Sequence, residues 1–228
     1  MILGVDGERL SKRHGAVSVM QYREGGYLPE ALVNYLARLG WSHGDEEMFS
    51  IEQFIEWFDL KHISKSPAQF NPEKLLWLNH QYIKLASNEA LAAQIELEIQ
   101  RKGGDIKNGP KLSSAMQLLK DRANTLRELV QAAMLFYRYT PPSRELTAQH
   151  VNGKIVPALQ EAGRLFANTE WRRDAIHDAI KAVVARHQLK LPELAMPLRV
   201  LVTGSAQTPP IDVTLELIGR EQVLKRRC

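Results

Sequence analysis

A single cysteine, Cys228 at the last position, is all that the 228 residues contain, so no internal disulfide can form and a disulfide-stapled secreted scaffold is excluded. No apolar stretch approaches the roughly 20 residues that a membrane-spanning helix requires. The start, Met1-Ile2-Leu3-Gly4, lacks the basic segment and apolar run of a secretory leader. These absences predict a soluble, cytoplasmic chain with no membrane partner. Neither sign of charge dominates: 30 Lys+Arg stand against 26 Asp+Glu, for a net charge of +4. Such a balance permits nucleic-acid binding without requiring it, since the cations must share a face. Missing too are Cys-x-x-Cys, His-Glu-x-x-His, Gly-x-Ser-x-Gly and Gly-x-Gly-x-x-Gly, and the seven histidines (14, 43, 62, 80, 150, 177, 187) show no metal-ligand spacing. No metal site is expected.

What is present is a composition able to form a packed core, 44% hydrophobic and 25% charged, arranged mostly at the helical period. Pro29 suits a first helical position, with Leu32, Tyr35, Leu36 and Leu39 following and Gly40 as a stop. Ser50 and Gln53 form a capping-box pattern, and Asn71-Pro72 opens another helix. Asn88 is a candidate cap for a run through Arg101 that ends at Gly103-Gly104. Helices are also expected over 111–121 and 125–139, and Pro141-Pro142-Ser143 breaks the pattern, predicting a boundary. Trp171 through Val184 reads as one amphipathic helix. Leu198–Val202 is a strand or a helix opened by Pro197, and the lack of a partner strand nearby favours helix. A second strand candidate is Val17–Tyr22, so the expected class is all-α with a minimal sheet. Trp41, Trp57, Trp77 and Trp171 sit among apolar neighbours at helical spacing, which predicts core rather than a base-stacking platform.

One cluster carries chemistry. Glycines 4, 7 and 15 surround three cations in the segment from Gly4 to Gly15, a pliable loop whose amides and side chains could surround a triphosphate. Charge and glycine content alone describe an ordinary solvated basic turn equally well, because Asp6 and Glu8 lie in it. Its central residues go further. Arg9-Leu10-Ser11-Lys12-Arg13 resembles the Lys-Met-Ser-Lys-Ser signature of class I aminoacyl-tRNA synthetases, in the form typical of glutamyl-tRNA synthetases. Segments 14–19, 26–32, 39–42 and 74–79 resemble the stretches downstream of that loop in the bacterial family. Met196-Pro197-Leu198-Arg199 with Thr203-Gly204 resembles its anticodon-binding region, so the resemblance covers essentially the whole chain.

The resemblance implies a helical stem-contact domain followed by a two-part α-helical anticodon-binding domain. The expected domains are 1–87, signature-loop tail of the catalytic region plus stem contact, then 88–143 and 144–228, the two anticodon-binding subdomains. It implies that Arg9, Leu10, Ser11, Lys12 and Arg13 bind ATP, with Mg2+, and that Lys12 is the catalytic residue, offsetting charge that develops on the phosphates. Arg9 departs from the family's usual Lys, exchanging a compact ammonium for a planar fork. For the anticodon the carry-over falls on Arg122, Arg199, Thr208, Pro209 and Ile211. Arginine at the position of Arg122 goes in the family with restriction to glutamate anticodons, glutamine with relaxed recognition. Residue by residue, Arg122 also fits a solvated helix end, Arg199 a structural ion pair and Thr208-Pro209-Pro210 a rigid turn. The family's Rossmann half with its His-Ile-Gly-His motif does not occur, which predicts a C-terminal half of a synthetase, engineered or naturally encoded, that binds tRNA-Glu as a monomer but does not charge it alone. A stand-alone RNA-binding module and a helical protein-interaction scaffold are the alternatives.

Overall fold

The computed structural model describes residues 1–11 and 18–226. Thirteen α-helices cover most of them, and the one sheet among the described residues is a parallel pairing of β1 (Ile2–Leu3) with β2 (Ala68–Gln69), Ile2 opposite Ala68 and Leu3 opposite Gln69. The class is all-α, as expected. The chain divides into two compact units: residues 1–94 with 120–129, and residues 95–119 with 130–228.

The first unit is built on α1 (Val19–Gly25), α2 (Pro29–Arg38), α3 (Ile51–Trp57) and α4 (Pro72–Leu85), with the start of α5 (Asn88–Arg101). Leu32 and Tyr35 of α2 pack on Leu75 and Leu78 of α4, all buried, with Tyr22, Tyr27 and Phe70 around them. Each buried Leu is worth about 1.5–3 kcal/mol. The start signals act as their chemistry dictates. Ser50 and Gln53 complete both halves of the capping box of α3, and Asn71 Oδ1 accepts the Lys74 N–H (3.0 Å) at the head of α4. Polar cross-links add to the core: Asn34, 1% exposed, accepts from the Phe49 N–H (3.1 Å) and donates to the Glu47 carbonyl (3.0 Å).

Three expectations for this unit need correction. The strand candidate at Val17–Tyr22 is not one: Val17 lies outside the described residues, and Val19 to Tyr22 belong to α1. Ser18 Oγ accepts the Met20 N–H (3.2 Å) and Gly26 ends the helix at φ 85°, so the local caps outweigh the β-branched content of the run. Trp77 is 42% exposed rather than core, because the buried stripe of α4 runs through Leu75, Leu78, Asn79 and Ile83 and leaves position 77 on the opposite side, with Lys74 Nζ 4.8 Å above its ring. Trp41 is core, edge-on to Phe49 and Phe54. At α5 the cap is Ser87, not Asn88: its Oγ accepts the Ala90 N–H (3.1 Å).

The second unit contains α6 (Leu112–Leu119), most of α7 (Leu126–Tyr137), α8 (Arg144–His150), α9 (Val156–Asn168), α10 (Arg173–Arg186), α11 (Leu191–Thr203), α12 (Ile211–Ile218) and α13 (Arg220–Arg226). α10 is central, packing on α9, α11 and α12 through the fully buried Ile176, Ile180 and Val183, with Phe166, Leu194, Leu198 and Leu215 in the same interior. Ser143 after the proline pair caps α8, its Oγ accepting the Leu146 N–H (3.1 Å). The ambiguous run at Leu198–Val202 is helix. It opens at Leu191 rather than Pro197, however, and Pro197 lies inside α11, where it removes one ladder hydrogen bond.

Candidate nucleic-acid interface

The signature segment is positioned by β1. Leu3 bridges Arg9 in antiparallel fashion, Leu10 N–H donates to the Ile2 carbonyl (2.9 Å), and Gly4 N–H donates to the Glu8 carbonyl (2.7 Å), so residues 2–10 form a tight hairpin. Gly7 turns it at φ 81°, and Asp6 Oδ1 accepts the Glu8 N–H (3.1 Å). Gln69 Nε2 holds the hairpin from β2 by donating to the carbonyls of Gly4 (3.2 Å) and Val5 (3.0 Å). Arg9 is exposed and Leu10 partly buried. Ser11 is the last described residue of the segment; Lys12 and Arg13 lie outside the described residues.

Arg122 ends a 3-10 turn, Lys120–Arg122, in the first unit. Its side chain is exposed and makes no hydrogen bond or ion pair among the described residues. The backbone around it is fixed. Lys120 Nζ donates to the Ala86 carbonyl (2.9 Å), His80 Nδ1 lies 2.9 Å from the Ala123 carbonyl, and Asn79 Nδ2 donates to the Asn124 carbonyl (2.6 Å). Glu128 takes the Asn124 N–H (2.7 Å), and Leu126 N–H donates to the Gly26 carbonyl (2.8 Å). The last contact needs glycine, since a Cβ at position 26 would sit 2.6 Å from the Arg127 nitrogen. A cation on a rigid turn is thus held out toward solvent, an arrangement suited to engaging an unstacked base or a phosphate.

Arg199, Thr208, Pro209 and Ile211 come together in the second unit. Arg199 projects half-exposed from α11, and its Nε donates to Thr208 Oγ1 (2.7 Å) while Nη1 stands 3.9 Å from Met196 Sδ. Thr208 Oγ1 in turn donates to the Pro209 carbonyl (2.9 Å). Pinning Nε fixes the guanidinium plane, which lowers the entropy lost when its fork meets a base edge. Pro209 is buried and Ile211 is 8% exposed, so both side chains pack into the unit and support the turn from below. A threonine hydroxyl and a thioether are thus among the partners that orient this arginine.

Sequence reasoning missed the residues that hold the Arg122 turn. Asn79 carried a usable signal: it falls four residues after Leu75 and four before Ile83, on the buried stripe of α4, where a polar side chain must find partners. His80 and Lys120 carried none, because their partners are backbone carbonyls far away in sequence.

Among the described residues, no three His, Cys, Asp or Glu side chains converge to hold a metal ion, and no helix is long and apolar enough to cross a membrane.

Comparison with known proteins bears on this geometry. Residues 78–226 match the family model of the anticodon binding domain, and residues 1–77 match that of the catalytic domain of class I tRNA synthetases (E and Q). The chain is 58% identical over 228 residues to the glutamate–tRNA ligase of Nitrosospira multiformis, covering 99% of this chain and 49% of that protein. It is 58% identical over 226 residues to that of Thiobacillus denitrificans, covering 99% and 48%. Among solved structures it superposes on a glutamate tRNA ligase from Elizabethkingia meningosepticum, determined in complex with its amino acid, with a TM-score of 0.85 and 26% identity over 100% of this chain and 49% of that one. The chain therefore spans about half the length of the curated relatives it matches.

Proposed function

The chain belongs to the anticodon binding domain family, and we propose that it is the tRNA-binding C-terminal half of a glutamate–tRNA ligase, contacting the inner corner and the anticodon of tRNA-Glu. The observation that carries the reading is Arg199, oriented by Thr208 on a half-exposed face of a domain whose family binds anticodons. Arg122 in the first unit is likewise assigned to anticodon recognition, as are Thr208, Pro209 and Ile211 in the second, which act by orienting Arg199 and supporting its turn. Residues 1–87 form the stem-contact part with the tail of the catalytic region, 88–143 and 144–228 the two anticodon-binding subdomains. The hairpin at 2–10 supports the reading that Arg9, Leu10, Ser11, Lys12 and Arg13 belong to an ATP loop, in which Lys12 offsets phosphate charge during activation of glutamate. Magnesium would be held largely by the ATP phosphates and water, as is usual for this ion at nucleotide sites. We place the protein in the cytoplasm as a monomer.

These 228 residues hold no His-Ile-Gly-His motif, and the amino-acid and adenine pockets are attributed to residues outside them. The test has two arms. Pyrophosphate exchange with glutamate and ATP should stay at the protein-free blank, while a tRNA-Glu transcript should bind the same preparation in a filter assay and bind Arg199→Ala more weakly. Exchange above the blank in host-synthetase-free material would overturn the first statement; no tRNA binding would overturn the second and favour the scaffold alternative.

A further inference from the structure

Unit 2 contains a cleft of about 640 Å³ where the C-terminal end of α5, the last turns of α7 and the end of α11 meet. Its charge is one-sided. Arg101, Lys102 and Arg138 line it, and no carboxylate does. Two of these cations are only loosely compensated: Arg101 Nη1 and Lys102 Nζ lie 3.8 and 4.0 Å from Glu98, with every partner well exposed, the geometry of ion pairs that water and salt readily displace. Arg138 makes no ion pair among the described residues. Its Nη1 donates to the Lys102 carbonyl (2.9 Å), so the end of α5 holds the guanidinium at the cleft without neutralising it.

The other walls narrow the ligand class. Met134 and Leu135, partly buried, give an apolar floor beside the cations. Two of the three lining hydroxyls are already committed within the protein: Thr203 Oγ1 donates to the Arg199 carbonyl (2.7 Å) and Ser205 Oγ to the Gln207 carbonyl (3.1 Å), while the third belongs to the exposed Thr140. Recognition is left to charge, apolar contact and the one Thr140 hydroxyl, which suits a phosphodiester with its sugar and is too little to read a base. The wall is closed by Gly204, at φ 74°, where a Cβ would run into the Thr140 carbonyl oxygen; only glycine lets the end of α11 approach this closely. Thr203 ties the cleft to the very helix that presents Arg199.

We propose that this cleft is a second RNA contact, holding a backbone phosphodiester of the tRNA and contributing affinity without anticodon specificity. It rests on the RNA-binding reading above. The probe is a tRNA-Glu transcript bound to the 228-residue chain in filter assays across a potassium chloride series. Arg101→Gln/Lys102→Gln is the principal variant and Arg138→Gln the second; Arg101 and Lys102 are 67% and 53% exposed, so the double replacement leaves the core intact. The double variant should bind about tenfold more weakly and lose about 0.7 from the slope of log K against log salt for each single-strand phosphate released, or about 0.9 for duplex. A transcript with replaced anticodon bases should suffer the same loss. Unchanged affinity and slope in both variants, with Arg199→Ala still weakened, would overturn the cleft proposal alone. Absence of tRNA binding by the unaltered chain would overturn the RNA reading with it. A rise in unfolding midpoint with millimolar inorganic phosphate, lost in the double variant while the tRNA slope is unmoved, would make this a small-anion pocket and equally overturn the proposal.

Discussion

Asn79 is where the first unit's grip on the Arg122 turn is most open to test. Its side chain is 0% exposed, its Oδ1 accepts the Leu28 N–H (2.8 Å), and its Nδ2 donates to the Asn124 carbonyl (2.6 Å). In Asn79→Ala the Leu28 N–H is left without a partner in a buried setting, because Leu28 is 3% exposed; one orphaned buried donor costs about 1–3 kcal/mol. The Asn124 carbonyl, on a partly buried residue, is reached more easily by water and adds less. Loss of amide volume next to the buried Leu75, Leu78 and Ile83 adds a small cavity penalty. The sum is about 2–4 kcal/mol.

Three of the four tryptophans, at 41, 57 and 77, lie in the first unit, so tryptophan fluorescence in a urea titration reports mainly on that unit. With a urea slope of about 2 kcal/mol/M, the midpoint should fall by about 1–2 M. The slope itself should not change. A shift below about 0.3 M would show that neither buried hydrogen bond matters and that the turn is held by packing alone.

Three further outcomes are expected. Arg122→Gln should reduce the preference of the chain for tRNA-Glu over tRNA-Gln transcripts, whose third anticodon bases are C and G, by about 10- to 100-fold, equivalent to about 1–3 kcal/mol from one lost bidentate contact; an unmoved ratio of dissociation constants would return Arg122 to the solvated turn. Thr208→Val, which keeps shape but removes the acceptor of Arg199 Nε, should weaken tRNA binding by less than Arg199→Ala does, and equal loss in both would show that the threonine contacts RNA itself. The Glu161 carboxyl is held below its ordinary value by Arg186 (2.6 Å), then by His187 (2.8 Å). Because its folded value is the lower one, the stability it contributes is full above about pH 4.3 and is lost as the pH falls from there through the folded value. The urea midpoint followed by circular dichroism should therefore drop more steeply with acid in the unaltered chain than in Glu161→Gln, and parallel curves would contradict the pairing.

The helices were legible because their signals are local. Asn71 caps α4 and Ser50 with Gln53 boxes α3, each a contact spanning three residues of sequence. Where reading failed, two local rules competed. At Val19–Tyr22 the residues favour a strand in isolation, yet a serine cap before them and a glycine after them are also local signals, and a lone strand has nothing with which to pair. Trp77 shows the opposite error. Apolar neighbours along the chain are not always apolar neighbours in space, since a step of two residues on a helix turns the side chain to the far side.

The candidate site divides along the same line. The pairing of Arg199 with Thr208 spans nine residues across one helix end and one turn, short enough for a family motif to bring both into view. The support of Arg122 spans 43 to 45 positions, from His80 and Asn79 to the carbonyls of Ala123 and Asn124, and a carbonyl has no residue type for a sequence to display. The cleft is further still from view. Lys102 and Arg138 are 36 positions apart, and each is by itself an ordinary basic residue near the end of a helix. Glycine at 204 is legible as part of a family-like Thr-Gly pair but not as the close approach to Thr140, because that constraint belongs to a chain segment 64 residues earlier. Charge summed over the whole sequence, at +4, conceals such a site; what creates it is that three cations and no carboxylate end up on one concave surface.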